Sequence, residues 1–146
     1  ARPERLEAAF LVMQLEVAER LAARPGRREY GYLSAFTQYY AESEILLRIP
    51  RGAFRPPPKV ASALVALRLP GQRATLGVRD EAAFVEFLKG CFAQKRKTLR
   101  NNLRAMTPAG RAEALLAECG IASEARAEQL SLPELARIFA GVRSSA

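Results

Sequence analysis

Three consecutive prolines, Pro56-Pro57-Pro58, constrain this chain more than any other feature. Each X-Pro step pushes the preceding residue towards extended geometry, and no proline can donate to a sheet ladder. The spacing therefore predicts a stiff, extended connector that leads into the apolar run Ala63 to Leu69. Such a lead-in holds the Phe54 ring and the Lys59 ammonium at fixed positions beside a sheet. A ring that stacks and a cation that meets phosphate suit a flat, anionic ligand such as a nucleotide. The alternative is a proline-bounded turn that opens a strand, with Phe54 filling the core.

Along the rest of the chain the period changes once. Ala8 to Gln14 is a short continuous apolar run, as expected of a strand buried on both faces. Leu15 to Ala23 reads as a helix with Leu15, Val17, Ala18 and Leu21 inward, stopped by Pro25-Gly26. A second helix is predicted over Leu33 to Tyr40 and a β-leaning run over Glu44 to Ile49. Ala63 to Leu69 forms the last strand, ended by Pro70-Gly71. From Asp80 onward the spacing is helical: Phe84, Leu88, Cys91 and Phe92 recur on one side. Thr107-Pro108 reads as a helix opening with Thr107 as N-cap, and Gly120 sits where a C′ glycine belongs. Ser131 and Glu134 have capping-box spacing for a final helix to about Gly141, followed by a polar, fraying tail. The boundary between the two parts falls in Gly71 to Arg79.

Charge narrows the function classes. The chain carries 23 Lys and Arg against 15 Asp and Glu, a net +8, which points to a polyanionic partner. It has no histidine, which excludes a His base, a His-Cys dyad and a His metal ligand. Cys91 and Cys119 lack CxxC-like spacing and read as reduced, partly buried thiols of a cytosolic protein, with no metal site. No apolar run approaches the roughly 20 residues that span a bilayer. The start, Ala1-Arg2-Pro3-Glu4-Arg5, is polar and lacks a Met, as expected of a piece of a longer protein without a signal peptide.

The excess is unevenly spread. Residues 1–79 hold 13 basic and 7 acidic side chains, and residues 80–146 hold 10 and 8. Within the second part, Lys89 to Arg104 contains Lys89, Lys95, Arg96, Lys97, Arg100 and Arg104 and no acid. On a continuous helix Arg96, Arg100 and Arg104 make one stripe, with Lys89 and Lys97 beside it. Like charges at i,i+4 destabilise a lone helix by a few tenths of a kcal/mol per pair. A stripe without interspersed glutamates therefore favours phosphate binding over mere solvation. Arg24, Arg27 and Arg28 form a second basic group beside Tyr30 and Tyr32, open between a binding role and a solvated loop. Glu42 and Glu44 read as solvent-facing, with no acid-base role.

Phe54-Arg55-Pro56-Pro57-Pro58-Lys59-Val60-Ala61-Ser62 resembles the signature of the ribosomal RNA adenine dimethyltransferases, the family of the kasugamycin-resistance methylase (KsgA). So do Tyr30-Gly31-Tyr32-Leu33-Ser34 with Gln38-Tyr39-Tyr40, the run Phe92 to Leu103, and more weakly Arg126 to Ser131. The resemblance implies an α+β fold. Residues 1–72 would supply the last strands and helices of a class I (Rossmann-like) methyltransferase sheet, and residues 80–146 an all-helical RNA-binding domain. The sheet would be small and mixed, with the last strand antiparallel between its two predecessors. Ala8 to Gln14 would then lie at an edge that the rest of the intact protein covers.

The same resemblance implies an S-adenosylmethionine-dependent dimethylation of 16S rRNA in small ribosomal subunit biogenesis, in the cytoplasm. Phe54 would cover the flipped adenine, Lys59 would be the nearby cation, and Lys95, Arg96 and Lys97 would form the RNA-binding basic cluster with Arg100 and Arg104 alongside. The family's glycine-rich cofactor loop and its Asn-Leu-Pro-Tyr segment are not in this sequence. The chain therefore reads as the C-terminal part, expected by itself to bind no S-adenosylmethionine and to be inactive. Two other readings stay open: a non-catalytic RNA-binding or ribosome-assembly module, and a macrolide-resistance methylase acting on 23S rRNA.

Overall fold

Ala8–Gln14 carries no charge, proline or glycine, and in the computed structural model it is strand β1 over that same range. The structure describes residues 5–145; the polar start, residues 1–4, and the last residue lie outside the described residues. Helix α1 (Leu15–Ala22) follows without a loop and buries Ala18 and Leu21. Gly26, at φ +88°, turns the chain after Pro25 towards α2 (Tyr32–Tyr40). Strands β2 (Glu42–Ile49) and β3 (Ser62–Arg68) complete a sheet of order β1-β3-β2. The last strand is central, as expected. Both ladders are antiparallel, so the described sheet is not mixed: β1 and β2 run alike but never touch.

One face of this sheet is covered and the other is open. Ala63 and Val65 of β3 pack against Ala18 of α1, with Met13 and Ile45 at the sides. Alternation sends Leu64 to the opposite face, in register with Val12 on one side and Leu47 on the other. There Phe10, Val12 and Leu47 are 59%, 57% and 56% exposed. The expectation of a strand buried on both faces is thus corrected: β1 has one neighbour, and α1 shields only one face. A register shift between Ile45 and Leu47 also turns Leu46 outward.

The proline connector is bent rather than extended. Arg51–Ala53 is a turn of 3₁₀ helix, and the Arg51 guanidinium donates to the Lys59 carbonyl at 3.2 Å. That bond closes residues 51–59 into a loop between the antiparallel β2 and β3.

The helical part comprises α3 (Arg73–Leu76), α4 (Glu81–Cys91), α5 (Leu99–Arg104), α6 (Arg111–Glu118) and α7 (Leu132–Ser144). Asp80 caps α4 by accepting from the Ala83 N–H at 3.0 Å. At α7 the capping box forms as read: the Ser131 N–H donates to Glu134 Oε2 at 2.8 Å, and the Glu134 N–H to Ser131 Oγ at 3.4 Å. Helix α7 runs on to Ser144, past the expected end. Gly120, φ +69°, ends α6 as a C′ glycine, and Ile121 N–H bonds the Leu116 carbonyl. Thr107 is not the N-cap of α6. Its hydroxyl donates backward to the Leu103 carbonyl at 2.8 Å, so the turn continues and Gly110 precedes the helix.

The helical core reaches across the predicted boundary. Phe84, Leu88, Leu99, Leu103 and Ile138 cluster with Tyr30, Ala35 and Tyr39. Gly71 (φ +64°) makes the crossing tight: a Cβ there would lie 2.7 Å from the Tyr40 carbonyl carbon and 2.8 Å from the Gln38 oxygen.

Candidate nucleic-acid interface

The segment Lys89 to Arg104 does not form one helix. Helix α4 ends at Cys91, residues 92–98 turn, and α5 begins after Thr98, whose hydroxyl accepts from the Asn101 N–H at 3.4 Å. The cause is Asn102. Its buried side-chain amide donates to the Cys91 carbonyl at 2.9 Å and the Gln94 carbonyl at 3.3 Å, satisfying groups that a continuing helix would have bonded itself. The expected Arg96–Arg100–Arg104 stripe is therefore broken.

Acids outside the segment pair with three of its cations, Glu86 from the preceding turn of α4 and Glu113 and Glu124 from later segments. Arg104 pairs with Glu113, Lys89 with Glu86 at 2.8 Å, and Arg100 lies 3.7 Å from Glu124. The Glu113 carboxyl is held below its ordinary range, first by a backbone hydrogen bond and then by the Arg104 guanidinium. Lys95, Arg96 and Lys97 stay exposed on the turn and form no ion pair among the described residues.

The turn instead meets two distant segments. The Lys95 ammonium reaches the Arg28 carbonyl (3.4 Å), and Phe92 packs edge-on to Tyr30 with centroids 6.0 Å apart. The Gly26 N–H donates to the Glu128 carbonyl at 2.8 Å, and the Leu99 N–H to the Ala125 carbonyl at 2.8 Å. Together these bonds bring loop 23–31, turn 92–98 and loop 120–129 around one cleft of about 400 Å³, lined by Gly26, Arg27, Arg28, Lys95, Arg96, Arg126 and Glu128. Five cations face one carboxylate. Like charges lining one concavity raise the local concentration of a polyanion and release its counterions on contact.

Several residues sit otherwise than a sequence reading suggests. Arg126 lines the cleft although no periodicity marks it; only its place in a family-like segment hints at a role. Ser34 and Gln38 are braces: Ser34 accepts from the Gly31 N–H (3.1 Å) and donates to the Arg20 carbonyl, while Gln38 donates to Leu21 and Ala23 carbonyls at 2.9 and 2.7 Å. They tie α2 to the end of α1 and so aim the Arg27–Arg28 loop. Phe54, 36% exposed, belongs to neither buried cluster, so it fills no core among the described residues. Neither it nor exposed Lys59 lines the basic cleft. Cys91 is fully buried, and burial pushes its thiol up, so it stays protonated and inert.

The family model for ribosomal RNA adenine dimethylase matches residues 3–143. The chain belongs to this family. A ribosomal RNA small subunit methyltransferase A of Acidobacterium capsulatum is 48% identical over 136 residues, 92% of this chain and 47% of the relative. Its namesake from Koribacter versatilis is 41% identical over 138 residues, 94% of this chain and 48% of the relative. The chain thus spans about half the length of the curated relatives it matches. Among solved structures, a dimethyladenosine transferase from Plasmodium falciparum superposes with a TM-score of 0.78 at 23% identity, over 99% of this chain and 59% of that one. The 23S rRNA methyltransferase ErmE gives 0.64 at 26% identity, over 94% and 55%. The first likeness shows the fold alone.

Proposed function

We propose that this chain is the RNA-handling part of an S-adenosylmethionine-dependent small-subunit rRNA adenine-N6,N6-dimethyltransferase, acting in the cytoplasm on the 16S rRNA of the small-subunit precursor. The five-cation cleft carries the reading. It offers phosphates a fixed, strongly cationic site, while Phe54 stands clear of the core on a loop pinned by Arg51. In this reading residues up to 72 are the closing strands of a Rossmann-like sheet, and the apolar edge at β1 is covered by another part of the whole enzyme. Residues from 80 onward form the RNA-binding domain. Lys97 extends the cleft's field, and Arg100 and Arg104 mainly brace α5 through their acids. The small-subunit assignment rests on the names of relatives at 41–48% identity, against 26% for ErmE.

The residues present do not fit the methyl donor. The β1–α1 junction, Gln14–Leu15, has no glycine and no loop to wrap a cofactor, and Gly71, after β3, is packed against the Tyr40 backbone. What this chain's residues do is bind and orient. Phosphates meet Arg27, Arg28, Lys95, Arg96 and Arg126. The Phe54 ring covers an extruded adenine, offsetting an unstacking cost of a few kcal/mol, and Lys59 faces the adjoining phosphate.

Replacing Arg28, Arg96 and Arg126 by Gln tests this. Affinity for a 16S rRNA fragment should fall, and the log–log salt slope should become shallower by about 0.7–0.9 for each phosphate that is no longer neutralised. Unchanged affinity and slope would sink the reading.

A further inference from the structure

Helix α2 carries three aromatic rings that neither the cleft nor the Phe54 loop uses. Tyr32, Phe36 and Tyr40 fall at i, i+4 and i+8, with ring centroids 5.7 and 5.3 Å apart. They form a ladder about 12 Å long on one flank of the helix. All three are partly exposed. Tyr32 and Tyr40 rest their inner edges on the helical core, and Phe36 belongs to neither buried cluster. The buried positions of α2 are Ser34, Ala35 and Tyr39, so the Tyr32–Phe36–Tyr40 row is its partly exposed flank.

The surroundings say what the ladder meets. At one end the Arg73 guanidinium lies over Tyr40, 5.9 Å from its centroid, and is paired with Glu81. At the other end stands Lys89, paired with Glu86; its ammonium is held above its ordinary value first by that hydrogen bond and least by the nearby Tyr32 phenol. The rim is thus balanced, two cations against two carboxylates, and offers no net pull on phosphate. The pull comes from the cleft, because loop residues Arg27 and Arg28 run through Tyr30-Gly31 directly into Tyr32.

From this juxtaposition we propose that the Tyr32–Phe36–Tyr40 ladder is a nucleobase-stacking platform for single-stranded RNA whose phosphates lie in the adjoining basic cleft. It rests on the cleft's binding of RNA. Bases are uncharged, so a neutral rim suits them, and every base offers a π-face worth roughly 1–3 kcal/mol on an aromatic ring. The phenol tips of Tyr32 and Tyr40 can bond base edges or ribose hydroxyls, as aromatic platforms do on single strands. A protein partner would fit the rings too, but gains nothing from the neighbouring run of five cations, and the net charge of +8 favours a polyanion.

Two strands of equal length separate the stacking claim from the phosphate claim: a short single-stranded RNA and its abasic counterpart, titrated against the 146-residue protein. The wild type should bind the base-bearing strand more tightly. Tyr32→Leu with Phe36→Leu keeps the apolar area and should weaken that strand roughly 5- to 150-fold for each base unstacked. Binding of the abasic strand, the salt slope and the melting temperature should stay unchanged, and Tyr32→Phe should keep most of the affinity. Equal binding of both strands by the wild type, or a double variant that discriminates them as the wild type does, overturns the platform while leaving the cleft intact. If neither strand binds, or Arg96→Gln leaves the slope unmoved, it is the cleft reading that fails, and the platform with it.

Discussion

The two halves of this molecule solve the burial problem differently. Among the described residues, eighteen buried side chains from α4 to α7, α2 and the α1–α2 loop form one core. At the sheet only Ala18, Ala63 and Val65 are buried together, while Phe10, Val12 and Leu47 face outward. Yet the compositions are alike; Ala8–Gln14 is more uniformly apolar than any helix of the second half. Hydrophobicity announces a need for cover but not its source. The helical half folds its amphipathic faces together and completes the cover with Tyr30, Ala35 and Tyr39 from the α1–α2 loop and α2. The sheet has α1 on one side and nothing among the described residues on the other.

The largest expected effect measures that difference directly. Leu103→Ala, in the helical core, should cost about 2–5 kcal/mol in denaturant unfolding. Val12→Ala, on the open face, should stay within about 0.5 kcal/mol. Comparable costs would mean that the open face is covered in solution.

Tyr30 asks to which half the α1–α2 loop belongs. It is 1% exposed within the helical core, and its phenol is pushed up to about 12, first by burial and then by Glu134. Below pH 10 the phenol is protonated in both folded and unfolded chains, and this stability is fully present. Between pH 10 and 12 the unfolded chain ionises first, so stability should fall by about 2–3 kcal/mol. Tyr30→Phe should remove that share of the alkaline loss in urea melts, leaving the share owed to the buried Cys91 thiol and to Tyr39, both also pushed up by burial. An unchanged alkaline loss would place the loop outside the helical core.

Asn102→Ala bears on the joint that bends the basic segment. It strands the Cys91 carbonyl, while the Gln94 carbonyl still accepts from the Lys97 N–H, and should cost about 1–3 kcal/mol. Hydrogen exchange should show turn 92–98 loosened while the sheet keeps its protection. Protection lost equally in both halves would show that they unfold as one unit, despite their different cores.

Much of the fold was legible. Strand β1 matches its apolar run residue for residue, the capping box at Ser131 formed, and Gly120 ends α6. The site was less so. Lys95 and Arg96 were visible as part of a charge run, but their partners in the cleft, Arg27, Arg28 and Arg126, lie about 70 residues before them and 30 after. Likewise the acids that neutralise Arg100 and Arg104, Glu124 and Glu113, come from later segments.

By itself, then, the sequence determined what depends on near neighbours along the chain. Caps, turns, strand alternation and helix faces all arise within a few residues, where backbone geometry fixes which side chains meet. Only the tertiary structure decided that α4 stops at Cys91, because Asn102 comes back eleven residues later to bond its last carbonyl. It also decided which cations gather in a cleft and which are tied to a carboxylate. Coulombic and hydrogen-bonding partners are chosen by distance in space, and a charge run on paper carries no record of what the folded chain will bring beside it.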